Sequence, residues 1–436
     1  MKIAVAGVGY VGLVTAVCLA EVGHHVTCVD VDSKKIDLMK SGKSPIYEDE
    51  LENLMNKNQE RLVYTTDYKK AYQNANVIFV GVGTPERVDG SANLDYVYKV
   101  CENIKESADE DKIVVIKSTV PIGTNDDIEK RLNENSKIRF YVVSNPEFLA
   151  QGTAVHDTLY PSRIVVGVED TYSEKIMKNV YAPLLKAPYN APYLTMDRKS
   201  AEMVKYASND FLALKISYIN EIANFCEKIG ADITEVAKGM SYDSRIGNKF
   251  LNAGIGYGGS CFPKDTSALH WLSQAMDCEL KTVAATIEVN KLQRLKLFER
   301  WREDFGNSIK DKTVAVLGCA FKTGTDDLRE APSVYNIELL LNYGVKVNVF
   351  DPIAEKNIYR IFEDRVHYCS NIDEAIKGVN AAFIMTELQE IVDYDLSYYK
   401  KFMKDPYIYD GRNCYSLENV EKFDIHYYSI GRRCIK

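Results

Sequence analysis

Cys261 sits in GYGGSCFPKD, residues 256–265, directly after a glycine pair and before Pro263, Lys264 and Asp265. Three readings fit a thiol in that place: an inert packed side chain, a metal ligand, or a nucleophile. Packing is the ordinary role of a single cysteine. A metal needs further thiolate or imidazole ligands, and no Cys or His lies at ligand spacing nearby, so no metal is expected. The surroundings favour the nucleophile. Gly258 and Gly259 would keep side chains clear of a ligand, and Pro263 suits the first turn of a helix through PKDTSALHWLSQA. Cys261 then stands at or just before a helix N-terminus with Lys264 beside it, and both features favour thiolate over thiol.

Such a thiolate can carry an aldehyde through a covalent thiohemiacetal to a thioester, given a hydride acceptor and a carboxylate that activates water for the hydrolysis. Two acids are candidates: Glu147, in SNPEFL at the end of an expected strand, and Asp265, four residues beyond Cys261. A capping or surface role suits either acid equally. Lys205 and Asn209, four apart on an expected helix, project from one face and can together donate to a developing oxyanion. The competing reading is a solvated polar stripe. Against it, the neighbours Met203, Tyr206, Phe211 and Leu212 suggest an enclosed turn.

The hydride acceptor is read from the N-terminus. Gly7, Gly9 and Gly12 spell G-x-G-x-x-G directly after the expected strand KIAVAGV and at the head of a helix through Glu21. There the glycines permit a tight turn, let backbone N–H groups approach a pyrophosphate, and allow close packing of helix on sheet. Asp30 ends the next strand, HHVTCVDV, 18 positions past Gly12, where a carboxylate accepts both ribose hydroxyls and repels a 2′-phosphate. NAD is therefore expected over NADP. Lys35 fits either a contact near the adenosine or an exposed helix lysine. Thr84 in GVGTP and Thr119 in KSTVPIGT follow later strands, whose ends line the cofactor crevice of such sheets; an ordinary turn role suits each equally.

Two sheets and a long helix are needed to position these residues. Apolar, β-branched runs at NVIFVGVGTP, KIVVIKSTV, FYVVSNPEF and SRIVVGV alternate with helical stretches, the pattern of a parallel sheet covered on both faces. Apolar residues then recur at helical spacing through SAEMVKYASNDFLALKISYINEIANFCEKIG, ending at Gly230. At roughly 45 Å such a helix outruns a small domain, and it is expected to bridge domains and offer a dimerisation surface. A second α/β pattern runs from KTVAVLGCAFK through VKVNVFDP and AAFIMTE to YIYDGRN. The expected architecture is α/β: two Rossmann-like doubly wound parallel sheets joined by a central helical region. The expected domains are residues 1–196 for NAD, 197–298 for dimerisation and 299–436 for a second ligand.

Composition narrows the class. At 436 residues and 46% hydrophobic content the chain suits two or three globular domains. A net charge of −8 and no long Lys/Arg run argue against nucleic acid. The apolar N-terminus is broken by its glycines and has no small-residue cleavage site, so neither signal peptide nor membrane span is expected and the chain is expected in the cytoplasm. Ten cysteines occur singly, with no CxxC pair, which argues against disulfides and structural zinc.

Taken in order, GVGYVG, VDVDSKKI, SPIYE, GTP, STVPIGT, NPEFL, AEMVKYASN, RIGNKFLNAGIGYGGSCFPKDT, FKTGTDDLREAPS, DGRN and the final SIGR resemble the nucleotide-sugar 6-dehydrogenases over essentially the whole chain. The resemblance implies an enzyme, taken here as a homodimer, that oxidises the sugar C6 alcohol to a carboxylate with two NAD molecules and without releasing the aldehyde. By position it makes Cys261 the nucleophile, Glu147 the water-activating base, Lys205 and Asn209 the stabilisers of the C6 oxyanion, and Asp265 and Thr119 the holders of the catalytic water network. It implies cofactor contacts from Val11, Asp30, Lys35, Thr84, Thr119, Glu147, Lys264 and Arg329. Sugar-nucleotide contacts are implied for Phe148, Leu149, Phe250, Leu251, Asn252, Ala253, Gly254, Gly258 and Lys322, with Arg245 reaching the sugar of a neighbouring subunit and the last domain binding the UDP-sugar. The Arg-Ile-Gly and Phe-Leu-Asn elements look like the branch that acts on UDP-glucose. GDP-mannose oxidation and a catalytically silent nucleotide-sugar-binding protein are the competing readings. Gln151 stands where many relatives place a glutamate, so a contact made there by that acid does not carry over.

Overall fold

The first strand, β1 (Lys2–Ala6), is buried along all but its first residue, and the following helix, Tyr10–Glu21, buries every residue from Gly12 to Ala20. Elements apolar on all sides fit only the inside of a layered fold. The computed structural model describes residues 1–306 and 309–436, which form two compact units, Met1–Ser208 and Asn209–Lys436.

In the first unit β1 is joined by β2 (His25–Val29), β3 (Leu62–Thr65), β4 (Val77–Val80), β5 (Lys112–Ile116), β6 (Phe140–Ser144), β7 (Ile164–Gly167) and β8 (Tyr193–Met196). The order across the sheet is β3-β2-β1-β4-β5-β6-β7-β8. Its first six strands follow the doubly wound dinucleotide-binding order, with the switch point between β1 and β4. One pairing departs from the expected parallel sheet: β7 runs antiparallel to β6, through Ser144 opposite Gly167. The connecting segment, 145–163, therefore stays at the carboxyl end of β6, where Glu147 lies.

The second unit repeats the plan with β9 (Thr313–Leu317), β10 (Lys346–Phe350), β11 (His367–Tyr368), β12 (Ala381–Ile384), β13 (Tyr407–Asp410) and β14 (His426–Ser429), ordered β11-β10-β9-β12-β13-β14. All its pairings are parallel. Asp351, just after β10, accepts the N–H groups of Cys319 and Ala320 after β9 at 2.7 and 3.1 Å. Asp30 makes the matching bond to Val8 in the first unit, so the likeness in plan between the two halves extends to one carboxylate.

Between β8 and β9 the described residues hold helices and no strand. The longest, Arg198–Ile229, ends at Gly230, whose φ of +79° is the left-handed conformation that terminates helices. Its start is fixed within the first unit: Arg198 pairs with Asp126 and Glu129, each at 2.8 Å. Glu202 accepts the N–H groups of Gly123 and Asn125 at 2.6 and 2.8 Å. No described helix is long and apolar enough to cross a membrane.

Candidate active site

The loop after β1 has the shape a dinucleotide pyrophosphate requires. Gly7 has φ of +88°, and a Cβ on Gly12 would lie 1.9 Å from the Gly7 carbonyl oxygen, so neither position takes another residue without moving backbone. A Cβ on Gly9 would meet nothing within 4 Å, so that side of the loop is open. The helix starts at Gly9 with no side chain capping it, which leaves its first N–H groups for an anion. The half-buried Asp30 carboxylate accepts from Val8 N–H and Asp32 N–H, each at 2.9 Å. That holds it beside the glycine loop with lone pairs left for ribose hydroxyls. Val11 and Lys35 are half-buried in the first turns of their helices. The Thr84 hydroxyl donates to the Thr119 carbonyl at 2.8 Å, tying the loops after β4 and β5 together. This donor and acceptor set fits NAD.

Glu147 lies on the loop after β6. Its Oε1 accepts from Lys205 Nζ at 2.7 Å and its Oε2 from Leu149 N–H at 2.8 Å. Lys205 is 3% and Glu147 5% exposed, which excludes the solvated-stripe reading for the lysine. The neighbours expected to enclose the turn do so only in part, Leu212 being half-buried. Tyr206 is buried, but Met203 and Phe211 are exposed. Phe148 supplies part of the cover, its half-buried ring 5.6 Å from Lys205 Nζ and 3.7 Å from the Arg163 guanidinium.

Three supporting residues escaped the sequence reading. Lys117 donates to Asn145 Oδ1 at 3.2 Å and to the Pro146 carbonyl at 3.5 Å. Burial pushes its ammonium down to about 8, with Glu147 opposing the fall and Lys205 adding to it. Asn145 also accepts the Tyr181 hydroxyl at 2.5 Å and donates to the Val165 carbonyl at 2.7 Å, which locks the turn that presents Glu147. Glu48 accepts the N–H groups of Gly152 and Ala154, each at 2.7 Å, and so fixes the turn that carries the half-buried Gln151. The available signals were a lysine at the end of a central strand and an acid in SPIYE.

In the second unit Cys261 is the N-cap residue of the helix Phe262–Ala275, with Pro263 in its first turn, and it is partly exposed. Ser260 Oγ lies 3.8 Å from its sulfur. The expected neighbour, Lys264, gives its ammonium to Asp265 Oδ1 at 2.5 Å instead. Arg329 is a cation close enough to interact with the sulfur. Its hydrogen bonds to Asp327 raise its pKa above the usual guanidinium value against desolvation, and Cys261 adds to the rise. Asp265 is 1% exposed and its Oδ2 accepts from the buried Asn209 amide at 2.6 Å, so Asn209, Asp265 and Lys264 form one chain of hydrogen bonds.

The glycines before Cys261 have a reason other than clearance for a ligand. A Cβ on Gly258 would lie 2.4 Å from the Glu330 carbonyl oxygen, and one on Gly259, at φ +82°, would lie 2.8 Å from the Phe321 ring. They are small because the Cys261 loop presses against the segment after β9. Upstream, Gly254 is pinned through its N–H to Asn220 at 2.8 Å and its carbonyl to Gln293 at 2.6 Å. Leu251 and Ala253 are buried, while Phe250, at φ +64°, and Asn252 are exposed. Lys322 is half-buried, 5.8 Å from the Phe321 ring. Arg245 is exposed and pairs with Asp243 at 2.6 Å.

Residues 1–185 match the NAD binding domain of the UDP-glucose/GDP-mannose dehydrogenase family, 199–292 its central domain and 315–417 its UDP binding domain. The chain belongs to the UDP-glucose/GDP-mannose dehydrogenase family. It is 44% identical to the UDP-glucose 6-dehydrogenase YwqF of Bacillus subtilis, over 100% of this chain and 98% of that protein. It is 42% identical to TuaD, a UDP-glucose 6-dehydrogenase of the same organism, over 100% and 94%. The structure of a UDP-glucose dehydrogenase from Pyrobaculum islandicum aligns with TM-score 0.91 and 33% identity, covering 99% of this chain and 98% of that one. A ternary complex of GDP-mannose dehydrogenase from Pseudomonas aeruginosa aligns with TM-score 0.54 and 32% identity, over 94% and 96%. As a family member the chain is an NAD-dependent oxidoreductase that oxidises a nucleotide sugar at C6.

Proposed function

We propose that this family member oxidises UDP-glucose at C6 to UDP-glucuronate, with NAD as the cofactor. The observation that supports the substrate is the full-length identity of 44% and 42% with two UDP-glucose 6-dehydrogenases. NAD, when bound on the glycine loop beside Asp30, accepts one hydride in each of two oxidations.

The residues divide the remaining work. Lys205 and Asn209, one turn apart on the same helix, donate to the C6 oxygen as its hydroxyl proton passes to water and it gains negative charge, which stabilises the transition state rather than the bound alcohol. The Cys261 thiolate forms a bond to the aldehyde carbon, and the thiohemiacetal oxygen draws on the same donors. Oxidation of that adduct leaves a thioester. Glu147 then takes a proton from water, the hydroxide adds to the thioester carbon, and the C–S bond breaks to return Cys261 as thiolate and release the carboxylate. Thr119 and Asp265 hold the water network, and Arg329 and the helix N-terminus keep the sulfur ionised between turnovers.

The enzyme works as a homodimer, its exposed helix face turned to a second copy and Arg245 serving the partner's sugar. Incubation with NAD and either sugar nucleotide tests the reading. Two NADH formed per UDP-glucose consumed, with none from GDP-mannose, supports it. Turnover of GDP-mannose alone, or binding without any NADH, overturns it.

A further inference from the structure

Asp210 follows Asn209 on the long helix and is 7% exposed. Both of its carboxyl oxygens are sealed from solvent and neither has a hydrogen-bond partner. A bare carboxylate in such a place is strongly disfavoured, because nothing replaces the water it has lost. The ionisable groups that face it come from two elements. Asp265, on the helix Phe262–Ala275, disfavours its ionisation; Tyr257, on the loop before Cys261, is itself raised by burial first and by Asp210 in addition. Lys264 is bonded to Asp265, and Arg294 acts on Tyr257. Two acids thus act on one another, and of the two Asp265 is the one with a bonded cation, Lys264.

We propose that Asp210 is a neutral carboxylic acid at neutral pH and a positioning residue for the reaction: uncharged, it leaves Asp265 as the single anion bridging Asn209 and Lys264, and its ionisation in alkali disrupts that bridge. The kinetic half of this rests on the function proposed above; the protonation half does not. Burial, and then Asp265, push the Asp210 carboxyl up to about 8. The native chain therefore keeps a proton that the unfolded chain releases near the ordinary carboxylate value, roughly pH 4. Native stability is lost as pH rises through that window and levels off above about 8.

The test compares the full-length wild type with Asp210→Asn, by thermal melting and by kcat across the pH range, each kcat normalised to its own value at neutrality. The midpoint of the variant should exceed that of the wild type by a margin that widens with pH and stops widening above about 8. The alkaline fall in wild-type kcat should flatten in the variant. Should Asp210→Asn not fold, Asp210→Leu serves, and the infrared spectrum of the wild type should lose a buried carboxylic-acid band on titration through the same pH. Melting curves that stay parallel at every pH, or a wild type with no such band, overturn the proposal. A widening margin with an unchanged kcat profile overturns the positioning role. A widening margin with no turnover of any sugar leaves the neutral acid established and sinks the assigned reaction instead.

Discussion

Lys205 Nζ lies 2.7 Å from Glu147 Oε1, and both side chains are almost fully buried. In so dry a place each charge depends on the other, and removing one partner of a buried pair typically costs about 3–5 kcal/mol. Glu147→Gln keeps the shape and the oxygen that Lys205 bonds, but it cannot take a proton from water. Turnover should fall by roughly 10²–10⁴-fold, and Cys261 should retain the sugar as a thioester. Intact-mass measurement after exposure to NAD and UDP-glucose checks this. A dead variant with an unmodified thiol would move Glu147 to an earlier step.

Lys117 supports that pair from behind. Its pKa is lowered by burial to about 8 from an ordinary 10.5, so between those values the folded chain binds fewer protons than the unfolded one. Stability contributed by this site therefore rises with pH across that window, and below it the desolvated cation is a constant burden on the fold. Lys117→Met should remove the rise, so that wild-type melting temperatures climb relative to the variant only at alkaline pH. The variant also loses the bonds to Asn145 and Pro146 that set the Glu147 turn. A misplacement of that kind should lower kcat by roughly 10²-fold with NAD affinity unchanged. Calorimetry across pH and steady-state kinetics read the two effects separately; full activity in the variant would remove Lys117 from the mechanism.

Asp30 governs cofactor choice. Its two bonds to backbone N–H groups place a negative charge beside the glycine loop. Charge-assisted hydrogen bonds contribute about 1.5–3 kcal/mol each. Asp30→Ala should therefore weaken NAD at least about tenfold and narrow the preference for NAD over NADP by more than that, since the repulsion of a 2′-phosphate also goes. Ratios of kcat/KM for the two cofactors decide it. An unchanged ratio would place the selectivity elsewhere.

What the sequence made legible followed from how strongly each residue is constrained locally. The glycine fingerprint, the central strands and the long helix up to Gly230 all stood out, because a run such as KIVVI or a helix-period pattern has few alternatives. Strands β3, β8, β11 and β14 did not. They are short and lie at or near sheet edges, and in β3 and β8 residues such as Val63 and Leu194 face solvent, which blurs the alternation. The antiparallel turn into β7 was invisible for a different reason: SRIVVGV reads the same in either direction. At the site, Lys205 and Asn209 were found by spacing on one helix. Their partners Glu147 and Asp265 lie 58 and 56 positions away, and no local pattern announces such a pairing. Lys117 and Asp210 were missed because a charged residue is assumed to reach water until its burial is seen.

The face of the long helix that stays uncovered points to the last prediction. Phe211, Tyr218 and Phe225 are spaced by seven residues and are 61%, 48% and 60% exposed; Ile229, at 60%, extends the line. A seven-residue repeat keeps side chains on nearly one stripe of a helix, and aromatic side chains of this size each favour burial by roughly 1.5–3 kcal/mol. In the proposed homodimer, a second copy of the same helix run against the first would cover the stripe symmetrically. Tyr218→Glu combined with Phe225→Glu should give a monomer by light scattering, because paired carboxylates cannot be buried against one another. NAD binding, which uses the glycine loop, should persist in that monomer. Oxidation of UDP-glucose should fall steeply if Arg245 of each subunit serves the sugar of the other, and Arg245→Ala in the intact dimer should reproduce the loss. A fully active monomer would leave the dimer standing without that role for Arg245, and a double variant that remains dimeric would remove the helix stripe as the interface.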